Sequence, residues 1–453
     1  MANLSPEQEL EQFGYHQQLH RGLSFWQLTA FGLNYMTPIA PAIVFGFILQ
    51  ASGGSVILPF LLGGIGMSFT AITYALLVRK FPIAGSLYSY VSHAWHPRIG
   101  FIAGWILLLD YILIPTIMSM SSVLYLQDFL PHVPYSVLLF LFIAITGLLN
   151  LFDVKVMARL GLWLLLIGEL VIFAGFAVWA YAVKVKGMGV GHLLSTEPFH
   201  FHSLPALATA TSLAVLAYLG FDAITTMAEE AKNPKRDIPK AILVALLIGT
   251  ATMLITGYLG MLVIPNWQQF VNDPSWLSTT LFYVSKLTGG EGFGIFYALG
   301  YVFSMAVFNI VATAAGARLL FGMGRDRVLP KAIFSAINER WGTPHWNIAL
   351  ILLLEFGIGM LSTVDAIAEL VNYGALLGFI LLNLSLIWLV YVKGTAITTH
   401  HPIRKFFLCF VSPFIGVLVM FWVFLSMQHI TLIIGSIWLI IGICYTVFGH
   451  KTL

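Results

Sequence analysis

The sequence predicts an all-α integral membrane protein of twelve transmembrane helices, in two five-helix halves followed by two further helices. Three observations carry this. Hydrophobic residues make up 59% of the 453 and charged residues only 9%, with a mean hydropathy of +0.90, whereas soluble domains carry about 25% charge. Apolar runs of bilayer-spanning length recur along the whole chain. The first and sixth of these runs are interrupted near their middles, as matching helices of two repeated halves would be.

The elements follow in order. Residues 1–22 are polar, with Glu7, Glu9 and Glu11. They lack the basic start and short apolar core of a signal peptide and read as a retained cytoplasmic segment. Span 1 (24–49) contains Met36-Thr37-Pro38-Ile39-Ala40-Pro41, and span 2 (56–78) ends on Arg79 and Lys80. Span 3 (98–126) carries Asp110, span 4 (135–151) no charge, and span 5 (158–183) Glu169. Span 6 (204–228) is interrupted at Leu219-Gly220-Phe221-Asp222. Spans 7 to 10 (239–264, 291–321, 347–363 and 366–392) complete a core of residues 23–392. Residues 393–453 hold spans 11 (405–427) and 12 (431–449) and a short cytoplasmic C-terminus.

Charge gives an independent test, since cytoplasmic loops are enriched in Lys and Arg. With both termini inside, 19 of the 22 basic residues are cytoplasmic, and Lys184, Lys186 and Lys286 are not. One misplaced span would invert everything downstream. The net charge of +3 is spread among loops, which excludes nucleic acid as a partner. Cys409 and Cys444 both fall inside spans, so neither a disulfide framework nor a metal site is expected. No cofactor motif, metal spacing or catalytic nucleophile stands out, which argues against an enzyme.

The interrupted spans carry the chemistry. Pro38 and Pro41 each remove a backbone donor. Either span 1 kinks simply or a turn opens, and an open turn is tolerated only beside a cavity, water or ligand. In span 6, Gly220 permits unusual backbone shapes, and Asp222 is a carboxylate that costs on the order of 3 kcal/mol to insert. Together with the carbonyls ending the first half-helix it would attract an ammonium group, or it caps the second half-helix; the two roles are compatible. Asp110 and Glu169 are two further mid-span acids, each either a paired structural group or a proton carrier. Glu355 and Glu369 lie nearer span ends, where snorkelling explains them.

After Asp222 comes a mixed-sign cluster, Glu229, Glu230, Lys232, Lys235, Arg236, Asp237 and Lys240. It is either a solvated loop or a cytoplasmic gate in which Glu229 and Glu230 meet Arg79, Lys80 or basic residues after span 8. The small residues and turn formers of "RKFPIAGSLYSY" suit a re-entrant cytoplasmic segment.

"GFDAITTMAEEAKNPKRDIPKAI" and "FPIAGSLYSYV" resemble the signatures of amino acid–polyamine–organocation permeases, with supporting matches in "LSFWQLTAFGLNYMTP", "GWILLLDY" and "LLFGMGRDRVLPK". The resemblance covers essentially the whole chain. It implies the LeuT-like 5+5 inverted-repeat fold with discontinuous helices 1 and 6, and secondary active transport. "LNYMTP", "LLDYILIP" and "LGFDAITTMAEE" look most like the bacterial putrescine-importer branch. Where amino-acid branches place a Gly-Ser-Gly run that holds a substrate carboxylate, this chain has Asn34-Tyr35-Met36-Thr37-Pro38. The expected substrate is therefore recognised by its amines.

The expectation is a multi-pass bacterial inner-membrane importer of a small amine such as putrescine, driven by proton symport. A proton-coupled amino acid permease or an exchanger is the alternative, and a nutrient sensor without transport the reading from another class. Substrate would lie between Met36–Pro41 and Leu219–Asp222, walled by Tyr35, Tyr111, Tyr218 and Phe221. Met36, Thr37, Ile39, Asp110, Leu219, Gly220, Asp222 and Thr225 complete the expected substrate site. Glu169 is the expected proton-coupling residue: its helix reads LWLLLIG before it and LVIFAG after it, with no polar network to hold its charge. It lies near where several members of the family carry a lysine. Arg79, Glu229 and Glu230 are the expected gate.

Overall fold

The computed structural model describes residues 10–448 apart from 14–15, 17–18, 37–38, 85, 151–153, 271, 273, 339–340 and 396–400. Among these residues it is helical, with one isolated bridge, Leu23 to Ala231, and no strand. Helices α1 (Phe25–Met36) and α2 (Pro41–Ser52) form a pair bent by 48° around the proline segment. There follow α3 (Ile57–Lys80), the short α4 (Ser86–Ala94), α5 (Pro97–Phe129), α6 (Tyr135–Leu149), α7 (Val154–Lys184) and α8 (Leu204–Leu216). The second part comprises α9 (Pro234–Val263), α10 (Pro274–Arg325), α11 (Lys331–Phe334), α12 (His345–Leu361), α13 (Val364–Ile387), α14 (Pro402–Leu425) and α15 (His429–Phe448).

Among the described residues, eight helices are long and apolar enough to cross a membrane, or nine if the bent pair is one span. Three shorter apolar helices, α6, α8 and α12, coincide with the expected spans 4, 6 and 9. Large apolar side chains such as Trp163, Leu166 and Leu170 on α7, and Ile433, Ile437 and Ile440 on α15, are exposed, as lipid-facing surfaces require.

Two elements differ from expectation. Span 6 does not resume as an α-helix after its break but as a 3-10 turn, Asp222–Met227. The Thr225 and Thr226 hydroxyls donate to the carbonyls of Asp222 and Ala223, three residues back, at 2.6 and 2.7 Å, which favours the tighter winding. Before span 8, a helix begins at Pro274 and breaks at Gly290, where φ is 82°. Its first part packs on α2 where Gly46 leaves room for the Leu277 carbonyl and Thr280. The polar run Asn266 to Asp273 ahead of it reads as loop, and the span criterion passes over an amphipathic helix behind it.

Loops that the charge pattern groups together do meet. At one end, Lys186 Nζ donates to the Thr288 carbonyl at 2.9 Å, His202 N–H to Ser52 at 2.9 Å, and Val190 N–H to Leu262 at 2.9 Å. At the other end, residues 21–23 join 230–232, and Tyr88 joins Asp326.

Candidate functional site

The two interrupted helices touch at Gly220. Its φ is 114°, and a Cβ there would strike the Tyr35 ring at the end of α1. Only glycine meets both demands. Two residues on, Asp222 is buried, its Oδ1 accepting from the Gly220 N–H at 3.3 Å and its Oδ2 from the Tyr111 hydroxyl of α5 at 3.3 Å. The carboxylate thus reaches back and across to another helix rather than capping the 3-10 turn ahead of it. Tyr35 stands edge-on to Tyr111, centroids 6.0 Å apart, and to Phe308 of α10, at 5.0 Å.

Beside Tyr111, Asp110 is buried with no hydrogen-bond partner for either carboxylate oxygen, and it is near enough to Asp222 for their charges to act on each other. Among the described residues, no Lys, Arg or His forms an ion pair with either acid. Helix packing holds Asp110 and Tyr111 in place: Gly374 of α13 lies against the backbone at Asp110, and Gly316 of α10 against Tyr111. The hydroxyl of Tyr35 is also buried without a partner, and those of Tyr74 and Tyr90 are buried beside Asp222 and Thr225. The arrangement is two buried acids among aromatic rings and hydroxyls, chemistry that suits an ammonium group.

Tyr35, Asp110, Tyr111, Gly220 and Asp222 are therefore brought together as expected. Tyr218 is not part of this group. Its hydroxyl donates to the Phe60 carbonyl at 2.6 Å and its ring lies over Gly63 of α3, because the turn after α8 directs it away from Asp222. Met36 faces α9, its Cε against Gly249. Phe221 joins Tyr74 and Phe379, at 6.0 and 5.9 Å. Thr225 is spent on the Asp222 carbonyl, while Ile39 and Leu219 are buried in the apolar core. Thr37 lies outside the described residues.

Tyr74, Tyr90 and Phe308 were not picked out from the sequence. Tyr90 stands inside the "FPIAGSLYSYV" stretch, which could have suggested it, whereas single aromatics in spans 2 and 8 carry no signal. Glu169 is half-buried on α7, one carboxylate oxygen is buried without a partner, and no charged group acts on it. Glu369 is half-buried beside Thr431, as a span-end position allows. Glu355 departs from expectation: instead of snorkelling it is fully buried, bonded to Ser119 and Asn309.

Of the partners expected for Glu229 and Glu230, a basic residue just after span 8, Arg325, does meet them, and Arg318 from inside span 8 takes the place of Arg79 and Lys80. Glu230 takes Arg318 of α10 through two nitrogens, at 2.5 and 3.3 Å, and Glu229 takes Arg325 at 2.8 and 3.0 Å. The Ala84 N–H also donates to Glu229 at 3.0 Å, tying in the segment before α4. The Glu230 carbonyl accepts from the N–H groups of Gly22 and Leu23, at 2.8 and 2.9 Å. Arg79 is exposed at the end of α3: the guanidinium groups of α10 already occupy the carboxylates. These contacts tie α10, the segment before α4 and residues 22–23 to the stretch that follows Met227.

A sequence profile described as amino acid permease matches residues 23–448. The chain belongs to the amino acid permease family. It is 29% identical over 436 residues to the low-affinity putrescine importer PlaP of Escherichia coli (strain K12), covering 94% of this chain and 93% of that protein. It is 26% identical over 461 residues to the branched-chain amino acid permease BcaP of Bacillus subtilis (strain 168), covering 96% and 94%. It is also 26% identical over 412 residues to the mitochondrial cationic amino acid transporter 3 of Arabidopsis thaliana, covering 83% of this chain and 64% of that protein. This permease is thus a multi-pass membrane transporter for amino acids or amines, not an enzyme.

Proposed function

We propose that this permease imports a small diamine such as putrescine across a bacterial inner membrane, with the proton gradient as driving force and both termini in the cytoplasm. The observation that carries the reading is the buried pair Asp110 and Asp222, with no protein cation to neutralise it. Two unneutralised carboxylates in the interior of a membrane are costly. A ligand with two ammonium groups offsets both at once, and Tyr35, Tyr111 and Phe308 supply rings that attract cations. An α-amino acid would bring a carboxylate toward two like charges. The resemblance to a putrescine importer points the same way.

Twelve spans in a 5+5 repeat suit this function, with α6, α8 and α12 crossing despite their length and the breaks at Met36–Pro41 and Leu219–Asp222 in corresponding helices. In transport, the gate would open by separating Glu229 and Glu230 from Arg325 and Arg318. Glu169 takes up a proton in one orientation and releases it in the other.

The test is competition in proteoliposomes, with putrescine, arginine and alanine offered against one another, alongside Asp222→Asn. Putrescine should win, and Asp222→Asn should abolish its uptake while the protein still inserts. Inhibition by alanine but by neither cation would favour the amino acid permeases among its relatives instead.

A further inference from the structure

Behind the substrate site, α5, α10 and α12 enclose a second polar cluster. Glu355 of α12 is fully buried. Its Oε1 accepts from Asn309 Nδ2 of α10 at 2.5 Å and from the Ser119 hydroxyl of α5 in a close contact. The same amide nitrogen reaches the Pro115 carbonyl at 3.1 Å and Ser119 Oγ at 3.0 Å. Glu355 Oε2 and Asn309 Oδ1 are buried with no partner.

No positive charge compensates this carboxyl. The titratable groups on the elements packed against α12 are Arg98, Asp110, Tyr111, Tyr125 and Asp128 on α5, Tyr283, Lys286, Glu291, Tyr297, Tyr301, Arg318 and Arg325 on α10, Tyr135 on α6 and Lys331 on α11; α12 itself begins with His345. None acts on Glu355, and Arg318 is committed to Glu230. A buried carboxylate with one bare oxygen and no counter-ion is far more costly than a neutral carboxyl in the same place. A metal cation is not favoured either, because the groove between Glu355, Ser119 and Pro115 is filled by a donating amide.

The cluster is also linked to the substrate site. Pro115 has no N–H, so the Tyr111 carbonyl one turn earlier loses its helical partner, and α5 is weakened between Asp110 and Ser119. The Asn309 amide spans this weak turn from α10, the helix that also carries Phe308 at the substrate rings and Arg318 and Arg325 at the gate. Any shift of α10 against α5 and α12 therefore disturbs the bonds to Glu355 and the substrate site together.

We infer that Glu355, held by Ser119 and Asn309, is a proton-carrying site of the transport cycle, loaded while the three helices are closed and emptied when α10 moves and water reaches the carboxyl. This rests on the proposed proton-coupled import and adds, beside Glu169, a second residue outside the substrate site that must gain and lose a proton in each cycle. The proton bound to the carboxyl in one orientation leaves as a hydrated proton in the other, with no other bond made or broken.

The experiment uses the full chain in proteoliposomes with the membrane potential clamped and an imposed pH difference. Glu355→Gln keeps an oxygen that can accept from Ser119 and Asn309. It should lose gradient-driven putrescine accumulation while retaining counterflow exchange, which also reports that the variant is folded. Infrared spectra of the same preparations supply a readout independent of substrate: wild type should show a protonated-carboxyl C=O stretch that Glu355→Gln removes. Unchanged accumulation, or no loss of that band, would overturn the assignment. Failure of wild type to take up putrescine while the band is present would refute the proposed substrate and leave the proton site standing.

Discussion

The proposed substrate site and the proposed gate each bury two acids, and the protein surrounds them in opposite ways. Glu229 and Glu230 are matched one to one by Arg325 and Arg318 at 2.5 to 3.3 Å. Asp110 and Asp222 have tyrosine and glycine near them and no cation. A carboxylate neutralised from within is a latch, whereas one left unneutralised is a place for an incoming cation. Under the proposed function the contrast separates a structural from a ligand-binding use of the same chemical group, with Asp222, Glu229 and Glu230 all within residues 217–231.

The largest expected effect comes from breaking the latch. Arg318→Ala leaves Glu230 buried and unpaired and should destabilise the closed state by about 3–5 kcal/mol, read as a fall in thermal unfolding temperature in detergent. Replacing both partners, Arg318→Leu with Glu230→Met, should recover most of the loss. If Arg318→Ala is as stable as wild type, the pair is not a latch. At the substrate site the sign reverses: Asp222→Asn should leave stability unchanged or higher while abolishing putrescine uptake. An equally large stability loss at both sites would erase the distinction.

A smaller effect is expected at Gly220→Ala, which meets the Tyr35 ring and a backbone at φ 114°. Strain of about 1–3 kcal/mol should weaken putrescine binding without abolishing insertion. Unchanged affinity would mean that the contact between the two breaks is not part of the site. The smallest belongs to Arg79→Ala, which should shift stability by no more than about 0.5 kcal/mol, as an exposed residue outside both acid pairs. A shift as large as that of Arg318→Ala would restore Arg79 to the gate.

Much of this was legible beforehand because a membrane simplifies the reading. Hydrocarbon makes any mid-span acid or glycine-proline break conspicuous, and Asp110, Gly220, Asp222 and the paired glutamates stand out for that reason. What a side chain faces was less legible. Tyr218 and Tyr111 look alike in sequence, but the turn after Leu216 sends Tyr218 toward α3. Arg325 belongs to the basic residues after span 8 that the sequence offers as partners, whereas Arg318 lies inside the span, 88 residues from Glu230, and no local pattern selects it over Arg79. Snorkelling does not apply to Glu355, because it stands at the centre of span 9 and three packed helices enclose it.

The central claim is that Asp110 and Asp222 form a site for two positive charges. Equilibrium binding of putrescine and of butylamine, which has the same carbon chain with one ammonium, to the purified permease tests it most directly. Wild type should prefer putrescine by about 1.5–3 kcal/mol, the worth of a hydrogen bond to a charged group, and Asp110→Asn should bring the two ligands close to equal. Butylamine binding as tightly as putrescine to wild type, or a preference that survives Asp110→Asn, would contradict the account.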